Sequence, residues 1–297
     1  MGVAEAIPGV SGSTAALLTG IYHELVTSLK SFDSTALKLI ASKRFREFWK
    51  HINGNFLITV FAGAITGIVS FSRLIGYALK HNSIPLAAFF FGLIIMATPL
   101  VMREEIKKWD TIAIISFVVA LALAYLITWL SPAQAPRTLW MMFVIGAVAG
   151  IITLIPGISF AYMLIMLGQF ANFTAAIAGF NIAAIFLFIA GYCIGLIATA
   201  RWINLLLGRY RRTVLAVFTG LMLGFLNKVW PWRDIVEFAT NRNGEQITAF
   251  DKSILPWNYL ASTEKDPQVF QAILMMALGV FIAILIEKIA TRRKTIL

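Results

Sequence analysis

The stretch GVAEAIPGVSGSTAALLTGIY, residues 2–22, is largely apolar but contains a glutamate, a proline and four glycines. Its hydrophobicity suits a membrane, whereas Pro-Gly and Ser-Gly interrupt a helix. Such broken backbone is tolerated at membrane depth only where protein or a wet cavity covers it. We therefore predict that residues 2–29 form a re-entrant hairpin, which enters and leaves the membrane on the same face.

The composition places the rest of the chain in the membrane as well. Of 297 residues, 59% are hydrophobic and only 13% are charged, against about 45–50% and about 25% in soluble domains. The net charge of +11 is first a topology signal in such a chain, so no nucleic acid is expected as a partner. The single cysteine, Cys193, excludes disulfides and thiolate metal sites, and the three histidines lack ligand spacing. No metal and no cofactor are expected.

Six further windows are long enough, or nearly so, to cross about 30 Å of hydrocarbon as helices. A second interrupted window, residues 139–170, again carries Pro-Gly close to a serine and predicts a second re-entrant hairpin. The six predicted spans are residues 55–79, 84–102, 111–130, 172–200, 213–229 and 268–287.

With six crossings and two hairpins, all four basic clusters of the sequence fall on one face, which the positive-inside rule makes cytoplasmic. Both termini are then cytoplasmic. The opposite face receives the mixed segment 228–267, which predicts an interfacial aromatic belt and a helix lying on the surface. The basic clusters lie in residues 30–50, 103–108, 209–212 and 292–294, and the aromatic residues are Trp230, Trp232, Trp257 and Tyr259.

The second hairpin repeats the first. GIITLIPGISFAYMLIMLGQF, residues 150–170, aligns with residues 2–22 at an offset of 148 and matches the Pro-Gly pair, a serine and two outer glycines. A second block, offset by 128, pairs Arg73 with Arg201 and Gly92 with Gly220. We therefore predict a duplicated chain, and the repeats are residues 1–137 and 138–297.

Each repeat holds one hairpin and three transmembrane helices, and an odd number of crossings inverts the second copy. Inverted repeats are the architecture of secondary transporters, in which broken helices meet near the midplane. The predicted fold class is thus an all-α polytopic membrane protein whose two hairpin tips face each other. Four glycines at matching positions predict close helix packing, and they are Gly63, Gly67, Gly191 and Gly195.

The Pro-Gly-x-Ser-Gly pattern at the first tip ends one helix and begins another, which leaves backbone N–H groups unpaired. These groups and the helix dipole attract anions, phosphate in particular. Phe160 stands where the first tip has Gly12, so the second tip should be bulkier and less polar. The predicted phosphate-binding residues are Gly9, Ser11, Gly12, Ser13 and Thr14 in the first tip and Gly157 and Ser159 in the second.

Three charged residues within apolar segments are further candidates. Arg73 and Arg201 come late in equivalent spans, so inversion places one near each membrane face. Each guanidinium suits phosphate oxygens there, and snorkelling to the interface is the alternative. Glu5 lies in the membrane-entering limb and is the candidate for ion coupling, with a proton or sodium as the ion; pairing with an arginine is the other interpretation.

The motifs Ala-Glu, Pro-Gly-Val-Ser-Gly, Ser-Thr and Gly-Ile-Tyr within residues 4–22 resemble the signature of the polyprenyl-phosphate transporter family. Pro-Gly-Ile-Ser at residues 156–159, with the Leu/Ile/Met run that follows, resembles its second signature, and the resemblance spans essentially the whole chain. It implies translocation of undecaprenyl phosphate, the recycled lipid carrier of cell-wall synthesis, in a bacterial or archaeal cytoplasmic membrane.

The chain departs from the family pattern at three points. Glu5 stands for the usual Asp, Ser13 for a Gly, and Phe160 for a Gly in the second motif. The last change weakens the case for symmetrical headgroup binding. The first repeat also lacks the apolar lead-in that residues 139–149 give the second, so either the given start is late or the first hairpin has only a stub as its entering limb.

The sequence therefore predicts a lipid flippase and not an enzyme. No GxxxxGK[ST] pattern occurs, so energy should come from an ion gradient or from the lipid gradient itself. The first rival is a channel or exchanger for small anions at the facing tips. A lipid phosphatase with a histidine nucleophile is disfavoured, because all three histidines fall at loop edges, and a scaffolding role is the last alternative. The lipid partners are polyprenyl phosphate and membrane phospholipids, and the oligomeric state stays open, a homo-oligomer included.

Overall fold

The computed structural model describes residues 1–5, 11–105, 109–130, 136, 138–240 and 246–296, and the chain is predominantly helical. Short helices around the first sequence break are followed by three long ones. The helices of this half are α1 Gly2–Glu5, α2 Gly12–Leu18, α3 Tyr22–Lys30, α4 Ser34–Ala41, α5 Phe45–His51, α6 Gly54–His81, α7 Ser83–Glu105 and α8 Thr111–Ile127.

The second half also begins with helices around a sequence break, has no counterpart of α4 and α5 among its described residues, and places a small β-hairpin and a short helix before its last helix. Its helices are α9 Leu139–Thr153, α10 Phe160–Met166, α11 Phe170–Ala178, α12 Ile182–Phe225, α13 Pro256–Thr263 and α14 Val269–Ile296, with a short 3-10 turn at Leu226–Val229. The strands are β1 Arg233–Thr240 and β2 Gln246–Ser253.

Four helices among the described residues, α6, α7, α12 and α14, are long and apolar enough to cross a membrane. The protein is therefore a multi-pass membrane protein. The 44 residues of α12 would extend about 66 Å as one straight helix, twice the hydrocarbon thickness. The backbone leaves the helical region at Tyr210 (φ −131°, ψ 42°), which divides this element into α12a, residues 182–209, and α12b, residues 211–225.

One predicted span has the wrong boundaries. The window 172–200 was expected to cross as a single helix, but residues 170–178 form the separate helix α11, bent by 113° from α10. A turn follows, with Phe180 at φ 47°, and Asn181 caps α12 through its side chain. Hydropathy missed this break because the turn residues themselves are mostly apolar.

The helix bounds repeat along the chain with the two offsets found in the sequence. The pairs α2/α10 and α3/α11 begin 148 residues apart, and their connecting glycines, Gly20 (φ 75°) and Gly168 (φ 64°), both adopt left-handed backbone. Residues 54–81 of α6 correspond to α12a at the offset of 128. Asn82 ends α6 with φ −139° and ψ 50°, nearly the conformation of Tyr210.

The last helix of each half packs on the other half. On α7, Gly92 lies against the Met276 carbonyl, while Gly279 of α14 lies against the Phe89 carbonyl. Helices α8 and α12b pack in the same way around Gly220 and Gly224. Any side chain at these glycines would collide with backbone, so the small residues set the helix spacing. This exchange of helices joins the two halves into one body.

The predicted packing role holds for three of the four glycines named from the sequence. Gly191 and Gly195 of α12a lie against the Phe143 and Ala147 carbonyls of α9, and Gly67 lies against α1. The prediction is wrong for Gly63, around whose Cβ position no described atom lies within 4 Å. Gly191, which corresponds to Gly63 at the offset of 128, packs against the long helix α9. The helix in the corresponding place of the first half, α1, has only four residues and does not extend to Gly63.

The segment between α12 and α14 was predicted to be a surface helix, and most of it is not helical. β1 and β2 pair antiparallel, with Arg233 opposite Ser253, and only Pro256–Thr263 forms the expected helix. Trp257 is exposed, as an interfacial residue should be, but Trp232 is buried and donates through Nε1 to the Pro267 carbonyl at 2.7 Å. A hairpin held by tertiary contacts leaves little local signal in a polar sequence.

Candidate functional site

Three buried hydroxyl groups lie at the start of α2. Ser11 takes the N-cap position with extended backbone (φ −114°, ψ 138°), and its Oγ lies 2.6 Å from Ser13 Oγ. Thr14 follows one residue later, and all three side chains are at most 3% exposed. Buried hydroxyls of this kind require hydrogen-bond partners. The three side chains therefore form a small polar cluster in a largely apolar interior.

The Glu5 side chain reaches the same helix end. Its Oε1 accepts a hydrogen bond from the Gly12 backbone N–H at 2.8 Å. A Cβ on residue 12 would lie 2.7 Å from that oxygen, so glycine permits the approach. The carboxylate thus holds a backbone donor that the sequence assigned to phosphate. Gly9, another predicted phosphate contact, lies outside the described residues.

The two helix breaks touch each other. The Gly157 N–H donates to Thr14 Oγ1 at 3.1 Å, and the Tyr22 hydroxyl donates to the Leu154 carbonyl at 2.6 Å. Gly157 has φ +93°, and a Cβ there would lie 2.8 Å from Met222 backbone atoms. Residues 143 positions apart in sequence therefore meet, with the Thr14 hydroxyl between the two breaks. We call this contact of Thr14 and Tyr22 with residues 154–157 the junction.

The second break is less polar than the first. Ser159 is the N-cap of α10 and is 4% exposed, so it repeats the position and burial of Ser11. The next residue, Phe160, packs edge-on against Phe173 at a centroid distance of 5.4 Å and also contacts Phe188. Consequently, most of the polar atoms at this junction come from the first break.

A cavity of about 350 Å³ lies beside this junction and extends between α6 and α12a. Glu5, Thr153 and Tyr192 supply polar atoms to its wall, and nearly all other lining residues are apolar. The α6 side of the wall is itself exposed on the outside of the helix bundle, so lipid can reach the cavity from the side. The α6 residues that line it are Val60, Phe61, Ala64, Ile65 and Ile68.

The two predicted arginines do not lie at the breaks. Arg73 is exposed on α6, and Arg201 is exposed on α12a, where its guanidinium donates to the Phe32 carbonyl at 2.6 Å. Arg201 therefore holds the connection between α3 and α4. Both arginines come 19 residues after the start of their helix segments, but the phosphate role assigned to them stays a prediction.

Comparison with known proteins now places the chain. A family model described as undecaprenyl phosphate translocase-like matches residues 1–247. The chain belongs to this family. A Vibrio cholerae relative named polyprenyl-phosphate transporter is 34% identical over 293 residues, which cover 98% of this chain and 94% of the relative. A Staphylococcus aureus relative of the same name is 29% identical over 248 residues, 78% of this chain and 83% of the relative. No solved structure matches the chain significantly.

These matches confirm the resemblance to the polyprenyl-phosphate transporter family that the sequence motifs indicated. Sequence reasoning did miss Tyr22, Thr153 and Tyr192, which contribute hydroxyl groups near the junction. Tyr22 had a usable signal, because it aligns with Phe170 at the offset of 148, and the two side chains at this position differ only by the tyrosine hydroxyl. Tyr192 lies in a long apolar segment, where an aromatic residue is most often packing.

Proposed function

We propose that this protein transports polyprenyl phosphate across the membrane and so recycles the lipid carrier of cell-envelope synthesis. The observation that carries the proposal is the junction itself: two helix breaks in contact, buried hydroxyls at their meeting point, and an apolar cavity open to lipid beside them. A lipid phosphate needs both the hydroxyls and the cavity, since its charged head group requires hydrogen-bond donors and its tail requires apolar surroundings. The names of the two relatives supply the substrate.

The phosphate would bind at the first break. Ser11, Ser13 and Thr14 offer hydroxyl donors, the Gly12 N–H offers a backbone donor, and Ser159 approaches from the second break. Charge-assisted hydrogen bonds of this type are about twice as strong as neutral ones. We assign no catalytic role, because the phosphate is carried and not cleaved.

Glu5 would couple this binding to an ion. Its carboxylate holds the Gly12 N–H in the described state, and two anions cannot share that donor without strong repulsion. Entry of phosphate therefore requires that Glu5 take up a proton or a sodium ion, or move away. Neutralisation of the carboxylate on binding is how an ion gradient would drive the lipid.

The prenyl tail would stay in the cavity between α6 and α12a and in the adjoining lipid. In our proposal the chain has six crossings and two inverted hairpins, with both termini cytoplasmic. Rocking of the repeats about the junction would expose the phosphate to each face in turn. Arg73 and Arg201 would meet the headgroup at opposite faces.

The test is transport of labelled polyprenyl phosphate by the full chain in liposomes. We expect the double variant Ser11→Ala, Ser13→Ala to lose at least about tenfold in rate, because two donors worth about 1 kcal/mol each disappear. Thr19→Ala is the matched control, since its hydroxyl bonds only within the far end of α2 and transport should persist. Unchanged transport in Ser11→Ala combined with Arg73→Ala would refute the site assignment.

A channel or exchanger for small anions is separated by a second measurement on the same liposomes. Flux of chloride and of inorganic phosphate is followed without any prenyl lipid. We expect no flux above that of empty liposomes, because the tail-binding cavity is part of the recognition. Rapid ion flux that Ser11→Ala abolishes would instead favour the channel.

A further inference from the structure

A second cavity, of about 270 Å³, lies at the opposite end of α2 from the junction. It is formed where the turn between α2 and α3 meets the break in α12. Gly20 makes this turn possible through its left-handed backbone (φ 75°). The residues that line the cavity are Leu17, Gly20, Tyr22, His23, Leu207, Arg211 and Leu215.

The lining combines basic and apolar groups. Arg211 contributes its guanidinium to the lining, and the His23 imidazole can donate from a ring nitrogen. The leucines come from α2, α12a and α12b and give the cavity an oily wall. A planar cation beside apolar side chains fits a phosphate monoester that carries a hydrocarbon substituent.

The cavity is physically linked to the junction. The seven residues of α2 extend about 10 Å at 1.5 Å each, so one short helix separates the two sites. Tyr22 lines the cavity, packs its ring against Phe218 at 5.7 Å, and donates its hydroxyl to the Leu154 carbonyl at the second break. A head group leaving the first break along α2 would reach Arg211 next.

Arg211 belongs to the basic cluster 209–212, but its neighbours have other surroundings. Arg209 lies over the Tyr210 ring at 5.5 Å from the centroid. Arg211 and Arg212 are both exposed, but Arg212 does not line the cavity. The break at Tyr210 turns the chain so that Arg211 alone of these three lines the cavity. Its placement is therefore more specific than a general excess of positive charge.

We propose that this cavity is a second binding site for the phosphate monoester of a lipid, at the basic face of the protein, with Arg211 and His23 as its donors. It receives the head group on its way between the junction and that face. The proposal rests on the proposed function for its substrate. It adds an intermediate binding site for the head group, which the junction alone does not provide.

The first experiment measures binding of dodecyl phosphate to the full chain in detergent by calorimetry. Ser11→Ala, Ser13→Ala is the background, so that the junction is already weakened. We expect Arg211→Gln to reduce affinity at least about tenfold, the size of one charge-assisted contact. Arg212→Gln, the matched control, should change it less than about twofold. Equal affinities with and without Arg211→Gln in this background would overturn the proposal.

Inorganic phosphate, measured in the same way, identifies the source of the phosphate group. We expect it to bind at least about tenfold more weakly than dodecyl phosphate, because it leaves the leucine wall unused. Equal affinity of the two would overturn the assignment to a lipid. His23→Ala should weaken both ligands, since it removes a donor to the head group alone.

Transport in liposomes tests the proposed transport function separately from the second binding site. If wild type carries labelled polyprenyl phosphate but Arg211→Gln is indistinguishable from it in rate and in dodecyl phosphate binding, only the second site is refuted. If Arg211→Gln loses binding while wild type shows no transport at all, the proposed function fails and the site stands.

Discussion

At the scale of single residues, the junction depends on a few specific atoms of Thr14 and Gly157. Thr14 Oγ1 accepts from the Gly157 N–H, and Gly157 needs both its left-handed backbone and its missing Cβ. Ser11 and Ser13 form a hydroxyl pair next to it. The contact between the two breaks thus combines these hydrogen bonds with apolar packing, in which Tyr22 and Leu154 share one buried cluster.

The first prediction concerns Thr14→Val, which keeps the shape of the side chain and removes the acceptor. The Gly157 N–H then loses its partner in a partly buried place, so we expect a loss of about 1 kcal/mol or more in the free energy of unfolding. Thermal unfolding in detergent measures it, together with transport in liposomes. Thr14→Ser keeps the hydroxyl and should retain most of the stability. Equal loss in both variants would show that the methyl group matters and not the hydrogen bond.

At the scale of elements, close helix crossings hold the bundle together. Gly92 and Gly279 bring α7 and α14 into backbone contact, and Gly220 and Gly224 do the same for α12b and α8. Lipid surrounds the outer faces, so van der Waals packing at these crossings replaces the hydrophobic effect as the force between helices. Crossings of this kind tolerate no added side chain.

The second prediction compares valine at two glycines of equally long helices. Gly279→Val forces α14 away from the Phe89 carbonyl, and overpacking of this kind costs about 1–3 kcal/mol. Gly63→Val points into a region with no described atom within 4 Å and should be neutral within about 0.5 kcal/mol. Thermal unfolding of both variants in the same detergent tests this. Similar melting temperatures would contradict the crossing described here.

The β-hairpin is fixed to the end of α12 by an ion cluster. Asp251 pairs with Arg233 and, at 3.2 Å, with Lys228. Arg233 also donates to the Asn227 carbonyl at 2.6 Å, so β1 and β2 are tied to the 3-10 turn that ends the helix. Breaking one partner would leave a half-buried charge without compensation.

The third prediction is a pH dependence of this hairpin. Burial raises the pKa of the Asp251 carboxyl, but hydrogen bonds and charge from Arg233, with the charge of Lys228, lower it more, so the net pKa lies below its ordinary value. A depressed pKa stabilises the folded hairpin above the unfolded value of about 3.9, and that stabilisation is lost as pH falls through the folded pKa.

Hydrogen exchange of residues 246–253, corrected for intrinsic rates, follows this loss. Protection should be constant from neutral pH down to about 4 and fall below it. Asp251→Asn should be less protected at neutral pH and should show a flatter acid response, while Asp234→Asn on the neighbouring strand serves as the control. An acid response in Asp251→Asn identical to that of wild type would exclude this carboxylate as the cause.

At the scale of the whole molecule, several helices recur in the two halves at matching offsets, but the chemistry of the two breaks differs. Helices α2 and α3 recur as α10 and α11, and α6 recurs as α12a. Yet the first break carries Glu5 and the hydroxyl pair, whereas the second carries Phe160 among other aromatics. A frame of recurring helices with one polar break suits a carrier that holds a single phosphate.

The fourth prediction tests the arrangement of this frame in the membrane. In a Cys193→Ser background, Ser42→Cys lies between α4 and α5, and Ser262→Cys lies on α13. Six crossings place them on opposite faces, so a membrane-impermeant maleimide added to intact cells should label position 262 and not position 42. Labelling of both positions, or of position 42 alone, would refute the proposed topology.

Most of the helices could be predicted from sequence, and the errors have a common cause. The windows for α6, α7 and α8 begin within a residue of the observed starts, because hydropathy and charged flanks are properties of the local chain. The turn before α12 and the β-hairpin were missed. Phe180 takes a left-handed conformation in an apolar stretch, and the strands depend on an ion cluster whose members lie 18 to 23 residues apart.

The sequence by itself determined the membrane class and the positions of the two breaks, and it predicts a duplication, since hydropathy, helix-breaking residues and repeated spacing act over short segments. The tertiary structure alone decided that Thr14 meets Gly157, that Glu5 holds the Gly12 N–H, and that each half packs its last helix on the other. Contacts between residues more than a hundred positions apart depend on how whole helices pack. No local pattern encodes that packing, so the polar junction became visible only in the folded chain.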